Sequence, residues 1–506
     1  MVARPMEQAS QALRRIFGFE QFRPGQAEAV AAALAGRDAL VVMPTGSGKS
    51  ICYQLPALMR DELTLVVSPL VSLMQDQAGA LSSVVPGQAA VINGQRRADE
   101  NASAVERVRS GQVRLLYVAP ERFAARGFLE AIGGARVGLF VVDEAHCVSQ
   151  WGHDFRPDYF ALAEVAQTLG ARATMALTAT ATPRVADDIV RLLALRDPVR
   201  VRTGFDRPNL TFAVTRCGGA LDKRRRLAGA LSDQGALPAI VYAGTRSASE
   251  QLAGSLTREL GLPAGVLAYH AGLDRAARAA VQERFMSGSA GVIVATNAFG
   301  MGIDKADVRT VCHAAVPASL EAYYQEAGRA GRDGHPARCL LFAERRDKGR
   351  HVFFIQRSRL AEQDFERVAE RLRWAGADGR YDVHLGELLG GADDDEAPRA
   401  VIGHLARAGF VKPLPAPSER VAGLIVGEWD RAVLSMCLTA ARDAERVRWR
   451  QYRAIWGYVE QEQCRRQTLM RYFGDSATSG AAGQCCDICA RRGPAPAGSA
   501  AVSHAA

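Results

Sequence analysis

The sequence predicts an α/β protein: two parallel-sheet domains in tandem, followed by a helical module that ends in clustered cysteines. Three observations predict it. Short apolar, β-branched runs alternate with longer amphipathic stretches from Ala39 to about Ala343, as strands and helices of a parallel sheet do. Polar residues collect at the C-terminal ends of those runs, the edge along which open α/β sheets bind ligands. Beyond Ala343 helical periodicity takes over, and Cys464, Cys485, Cys486 and Cys489 crowd together near the end.

The first strand series reads ALVVMP, LTLVVSP, VRLLYVAP, VGLFVVDEA and ATMALTAT. It restarts after Asp206-Arg207-Pro208 with PAIVYAGT, GVLAYHAG, GVIVATNAFGMG and TVCHAAVP, which places one domain over residues 1–203 and a second over 204–345. Residues 346–379 read as a helical platform. From 380 to 428 the pattern is a short strand, two helices and a hairpin, the outline of a winged helix; Asp394, Asp395 and Glu396 ahead of Pro398 suit a helix start, because carboxylates favour the positive end of the helix dipole. Residues 429–492 form a basic helical segment with the cysteines, and the Ala/Gly/Pro/Ser-rich stretch 493–506 has a disordered composition.

Composition sets outer limits. A chain of 506 residues, 48% hydrophobic and 23% charged, is a globular protein of several domains, which excludes disorder throughout. Lys and Arg number 63 against 54 Asp and Glu, a net +9; that bias suits a polyanionic partner without proving one. Met1–Ser10 lacks an apolar signal core and no apolar run is long enough to span a bilayer, so a cytoplasmic protein is expected. Cys52, Cys147, Cys312 and Cys339 lie singly in apolar segments, as small core residues of a reducing compartment do.

The motifs carry the chemistry. MPTGSGKS, Met43–Ser50, lies between an expected strand and an expected helix, the context in which backbone N–H groups and a helix N-terminus cradle phosphates. Thr45, Gly46, Ser47 and Gly48 would form the cradle, Lys49 would reach the β/γ-phosphates of ATP, and Ser50 would hold Mg²⁺. Met43 stands where such loops usually begin with Gly. Asp143 and Glu144, at the end of VGLFVVDEA, add a Mg²⁺ ligand and a base that positions the attacking water. QEAGRAGRDG, Gln325–Gly334, offers Arg329 and Arg332 for the γ-phosphate, with Gln325 beside them; an arginine in that role is worth roughly 10³ to 10⁵ in rate where measured.

Together with FGFEQFRPGQ (Phe17–Gln26), SPLVSLMQDQ (Ser68–Gln77), DEAHCVSQWGHDFRP (Asp143–Pro157), ALTATAT (Ala176–Thr182), FDRPNL (Phe205–Leu210) and ATNAFGMGIDK (Ala295–Lys305), these motifs resemble the RecQ-type DNA helicases of helicase superfamily 2 over residues 10 to 345. The resemblance implies two RecA-like domains and ATP-dependent 3′→5′ translocation on single-stranded DNA, with unwinding of duplex or branched DNA in repair or recombination. It implies that Gln26 reads adenine, framed by Phe19 and Arg23, and that Gln150, Trp151, His153, Phe155 and Arg156 form an aromatic-rich loop coupling DNA contact to hydrolysis. Stacking of Trp151 or Phe155 on a base is worth about 1–3 kcal/mol. Thr178, Thr180, Thr296, Gly302 and Asp304 are implied to relay nucleotide state.

Four thiolates suit a tetrahedral Zn²⁺ site, with Cys464 on an expected helix. The resembled family separates its second and third ligands, whereas Cys485 and Cys486 are adjacent, which sets Cys485 apart from the other three. The family also commonly carries a winged helix after the zinc module; here the winged-helix-like segment precedes it, with Arg399 and Arg407 on its second helix able to touch DNA or to lie solvated on a spacer. A DNA-stimulated ATPase or translocase, a zinc-dependent DNA-binding switch and an RNA-directed helicase stay open as alternatives. Protein partners are not legible; action in the cytoplasm, on nucleoid DNA, is expected.

Overall fold

The structure is a computed structural model that describes residues 3–492 apart from positions 70, 95, 125–126, 150–156, 263–264, 300–304, 376, 390–395, 415, 417–418 and 476–484. It forms two compact units, residues 1–204, 301–303 and 352–450 in one and residues 205–300, 304–351 and 451–506 in the other.

The first unit is built on seven strands, β1 Ala39–Val42, β2 Leu63–Val67, β3 Ala89–Ile92, β4 Leu115–Val118, β5 Val137–Val142, β6 Thr174–Thr178 and β7 Val199–Arg202. They pair in the order β3-β4-β2-β5-β6-β1-β7, all parallel. Val41, Val66, Leu115, Val141 and Leu177 have no exposed surface, because helices cover both faces of a parallel sheet. The second unit repeats the plan with β8 Leu210–Cys217, β9 Ala239–Tyr242, β10 Val266–Tyr269, β11 Val292–Ala295, β12 Thr310–His313 and β13 Ala337–Glu344. Their parallel order is β10-β11-β9-β12-β13-β8.

The nine expected strands are all present. Four others, β3, β7, β8 and β13, carry weaker patterns: β7 and β8 expose alternate residues, as edge strands do. Within 380–428 a three-stranded antiparallel sheet of β14 Arg380–His384, β15 Val411–Leu414 and β16 Arg420–Ile425 is ordered β14-β16-β15. One of the two expected helices there is Glu396–Arg407, but the other is only the 3-10 turn Leu385–Glu387. Gly386 sits inside that turn, and its N–H is taken by His384 Nδ1 at 3.2 Å, which closes the turn locally instead of extending it. The core of this segment draws Phe365, Val368 and Leu372 from the preceding helix Glu362–Ala375 and Cys437 from the following helix Arg431–Glu460.

Candidate nucleotide and metal sites

The phosphate loop follows β1, and Gly46 and Gly48 both adopt positive φ, 82° and 78°, which glycine alone adopts without strain. The loop is closed on itself. Lys49 Nζ donates to the Met43 and Pro44 carbonyls at 3.1 and 3.3 Å, and Ser47 Oγ donates to Pro44 O at 2.7 Å. Gln26, 3% exposed, donates from Nε2 to the Ser47 and Gly48 carbonyls at 3.1 and 2.9 Å. Arg23 Nη1 reaches Gly46 O at 2.7 Å, and its backbone N–H donates to Gln26 Oε1 at 2.8 Å. Phe19, four residues before Arg23 in the sequence, is 48% exposed. Thr45 lies in the turn between Pro44 and Gly46, and Ser50 sits immediately ahead of the helix Ile51–Met59.

Asp143 and Glu144 follow β5, two strands from β1. Burial pushes the Asp143 carboxyl up to about 7, the Glu144 charge adds to this, and Lys49 opposes it. Such a carboxyl is poised to ionise against a cation. Glu144 adopts φ 48° and approaches His146 Nδ1 at 3.3 Å. His146, fully buried, also meets Thr178 Oγ1 at 3.0 Å, and the Thr180 N–H donates to Thr178 Oγ1 at 3.3 Å. Burial alone would lower the His146 pKa, but the Cys147 sulfur and the Glu144 carboxylate outweigh it and hold it well above normal. A continuous polar chain thus runs from the acid pair to the end of β6.

In the second unit Arg329 is 4% exposed and lies against the Tyr242 hydroxyl, packed inside its own domain. Arg332 and Gln325 are partly exposed. Gln150, Trp151, His153, Phe155 and Arg156 lie outside the described residues, as do Gly302 and Asp304.

The cysteines converge: one sulfur each from Cys464, Cys485, Cys486 and Cys489 lies within 4.8 Å of the others. Cys464 precedes the helix Arg465–Tyr472 as its cap instead of lying on it, so its side chain turns toward the loop 485–486. Cys485, set apart in the sequence, belongs to the cluster, 3.6 Å from Cys464. Burial alone would raise the Cys486 thiol, but the Cys489 and Arg465 N–H groups, each 3.4 Å from its sulfur, bring it below the usual range. Four soft donors at this spacing fit Zn²⁺.

Residues 23–189 match the DEAD/DEAH box helicase family and 222–334 the helicase conserved C-terminal domain. Residues 427–490 match the RecQ zinc-binding family. The chain is 44% identical over 335 residues to the ATP-dependent DNA helicase RecQ of Haemophilus influenzae, covering 66% of this chain and 53% of that protein. It is 40% identical over 337 residues to the probable ATP-dependent DNA helicase RecS of Bacillus subtilis, 66% of this chain and 67% of that one. The chain belongs to the RecQ helicase family. It spans about half the length of the curated RecQ proteins that it matches first. In fold it is similar to the Mycobacterium smegmatis helicase Lhr bound to ssDNA and AMP-PNP, with a TM-score of 0.57 at 21% identity over 86% of this chain and 62% of that chain. Among the described residues no helix is long and apolar enough to cross a membrane.

Two findings lie beyond the RecQ motifs named from sequence. Arg96 and Arg122 line a cavity of about 340 Å³ with Ile92 and Asn101, at the C-terminal ends of β3 and β4. The signal was available in NGQRR and APERF, basic residues at the ligand-binding edge of the sheet. Arg407 is the second. Instead of facing outward it is partly buried in the first unit, 3.9 Å from Asp188, and burial followed by neighbouring arginines lowers its pKa.

Proposed function

We propose that the chain is an ATP-driven helicase that moves 3′→5′ along single-stranded DNA and unwinds duplex or branched DNA in repair or recombination, acting in the cytoplasm on nucleoid DNA. The observation that carries this reading is the polar chain from Glu144 through His146 to Thr178, which ties the acid pair to the strand end that the helicase motifs share. Lys49 exchanges its two loop carbonyls for the β/γ-phosphates. Gln26 and Arg23 hold the loop backbone and meet the base beside Phe19. Ser50 and Asp143 would hold Mg²⁺, which would supply charge neutralisation at the phosphates. Glu144 orients the attacking water and accepts its proton, and the change in its charge is felt at His146 and Thr178. Arg329 and Arg332 are the cations this reading assigns to the transferred phosphoryl group, and Gln150, Trp151, His153, Phe155 and Arg156 are its DNA contacts. Cys464, Cys485, Cys486 and Cys489 would hold Zn²⁺ as a structural tetrathiolate.

The test is strand displacement with ATP and Mg²⁺ on a duplex bearing a 3′ single-stranded tail, against the same duplex bearing a 5′ tail. Displacement from the 3′ tail is expected. Displacement only from the 5′ tail would overturn the polarity; none from either, with hydrolysis still stimulated by DNA, would leave a translocase or switch.

A further inference from the structure

A cavity of about 180 Å³ opens in the first unit, away from the phosphate loop, lined by Arg184, Asp443, Arg446, Val447 and Arg450. Arg184 belongs to the helix Pro183–Leu192 that follows β6; the other four lie along one face of the long helix Arg431–Glu460, where spacings of three, four and seven residues bring side chains together. Val447, 8% exposed, forms the floor, and the three arginines stand exposed around it. Among the described residues Asp443 is the only acid in the lining, and it pairs with Arg446. Three guanidinium groups against one carboxylate leave a net charge of +2. The dipole of the helix Pro183–Leu192 adds to it, since Arg184 lies in the first turn, behind the Thr182 cap. Beyond the cavity Arg191 and Arg407 both lie against Asp188. Arg407 nearby has its pKa lowered by burial and further by Arg191 and Arg184, against the opposing pull of Asp188.

We infer that this pocket takes a backbone phosphate of a DNA strand, a sequence-independent anchor built from Arg184, Arg446 and Arg450. The source of the phosphate rests on the helicase reading above; the pocket itself rests on its own lining. Planar guanidinium groups are the side chains best matched to phosphate oxygens, and exposed arginines around an apolar floor are accessible to a polymer backbone. The position gives the anchor a consequence. On the same helix Asp188 accepts a hydrogen bond from Ser149 Oγ at 2.8 Å, so the helix that lends Arg184 to the pocket also holds Ser149, which immediately precedes in sequence the segment assigned to DNA contact.

The test compares the full chain with its Arg446→Ala/Arg450→Ala variant for single-stranded DNA binding across a salt series. Each lost phosphate contact removes roughly 0.7 from the slope of log affinity against log salt. The pocket takes one phosphate, so the slope should fall by about 0.7 in the double variant, with affinity weakened equally for unrelated sequences. An unchanged slope overturns the inference. Both side chains are exposed; should the double variant nonetheless melt early, Arg450→Gln alone is read the same way, with about half the change expected and no change overturning the inference. If the unaltered chain binds no DNA, the helicase reading fails first, and inorganic pyrophosphate decides the pocket. A rise in melting temperature larger in the unaltered chain than in the variant, which keeps the phosphate loop, would make it a site for free oxyanions and overturn the DNA source. An equal rise, or none in either, would remove the site altogether.

Discussion

Replacing Arg466 by Met should weaken the second unit far more than an ordinary ion-pair loss. Arg466 is 1% exposed and donates to Asp206 Oδ1 at 2.8 Å and to the carbonyls of Arg207, Pro208 and Leu210 at 3.2, 3.2 and 2.6 Å. It thereby ties the helix that begins after Cys464 to the FDRPNL stretch and the start of β8. Met keeps the apolar stem but leaves the Asp206 carboxylate and three carbonyls without this donor. Breaking a buried pair from one side costs about 3–5 kcal/mol, and each carbonyl left dry costs about 1–3 kcal/mol before water reaches it. With recovered packing set against the carbonyl cost, a net loss of about 4 kcal/mol is expected. For a urea dependence of about 2 kcal/mol per molar, the midpoint falls by about 2 M. A chain of two units need not unfold in one step, so amide exchange along Leu210–Cys217 is the decisive assay, since it reports β8 directly. Protection there should fall by about three orders of magnitude, 1.4 kcal/mol being a factor of ten. A loss under about 1 kcal/mol, the worth of an exposed pair, would refute the argument that Arg466 clamps the zinc module to the sheet.

Other expectations follow from single groups. Lys49→Ala should abolish ATP hydrolysis with the melting temperature unchanged; persisting DNA-stimulated hydrolysis would remove Lys49 from the site. His404, 3% exposed, is held at about 4, below its usual 6.5, first by burial and then by Arg407 and Arg448. Its folded pKa is depressed, so the unfolded chain binds the proton first. The neutral ring's contribution is complete above pH 6.5 and is lost as pH falls toward 4, worth roughly 3 kcal/mol. His404→Leu should flatten the stability profile of the first unit over that window; an identical slope in variant and parent would show that His404 does not titrate there. Chelating Zn²⁺ should destabilise the second unit, because a structural site contributes folding free energy, and unchanged exchange at Phe212 and Val214 after confirmed metal removal would contradict it.

What the sequence made legible is what local chemistry dictates. Strands buried on both faces are continuous apolar runs, so β1, β2, β5, β9 and β11 could be read directly. The phosphate loop and acid pair were legible because they sit at strand ends in the order the chemistry needs. Edge strands were not: β7 reads VRVR and β8 reads LTFAVTRC, patterns whose alternating polar residues resemble loops until a neighbour covers one face. Nor was the role of Arg407. A basic residue near the end of a helix reads as solvent-facing, and only the approach of Asp188 from a helix more than 200 residues earlier turns it inward.

The cysteine doublet shows the same limit in a sharper form. Successive residues of an extended chain point to opposite faces, so Cys485 and Cys486 look unable to share a metal. Tertiary contacts remove the difficulty. Phe212 N–H donates to Cys485 O at 3.2 Å and Cys486 forms a single parallel bridge with Phe212, which pins the doublet to the outer edge of β8. The helix Asp487–Arg492 begins at the next residue, so the chain leaves the extended conformation at once and both sulfurs turn toward Cys464. Asp487 secures that bend, pairing with Arg465 at 3.1 Å and accepting from the Val214 N–H at 3.5 Å. An edge strand that would otherwise expose unpaired backbone groups is covered by the loop it shapes into a metal site. The ligand set of the module is therefore specified by β8 of the second RecA-like sheet as much as by the spacing of its own cysteines.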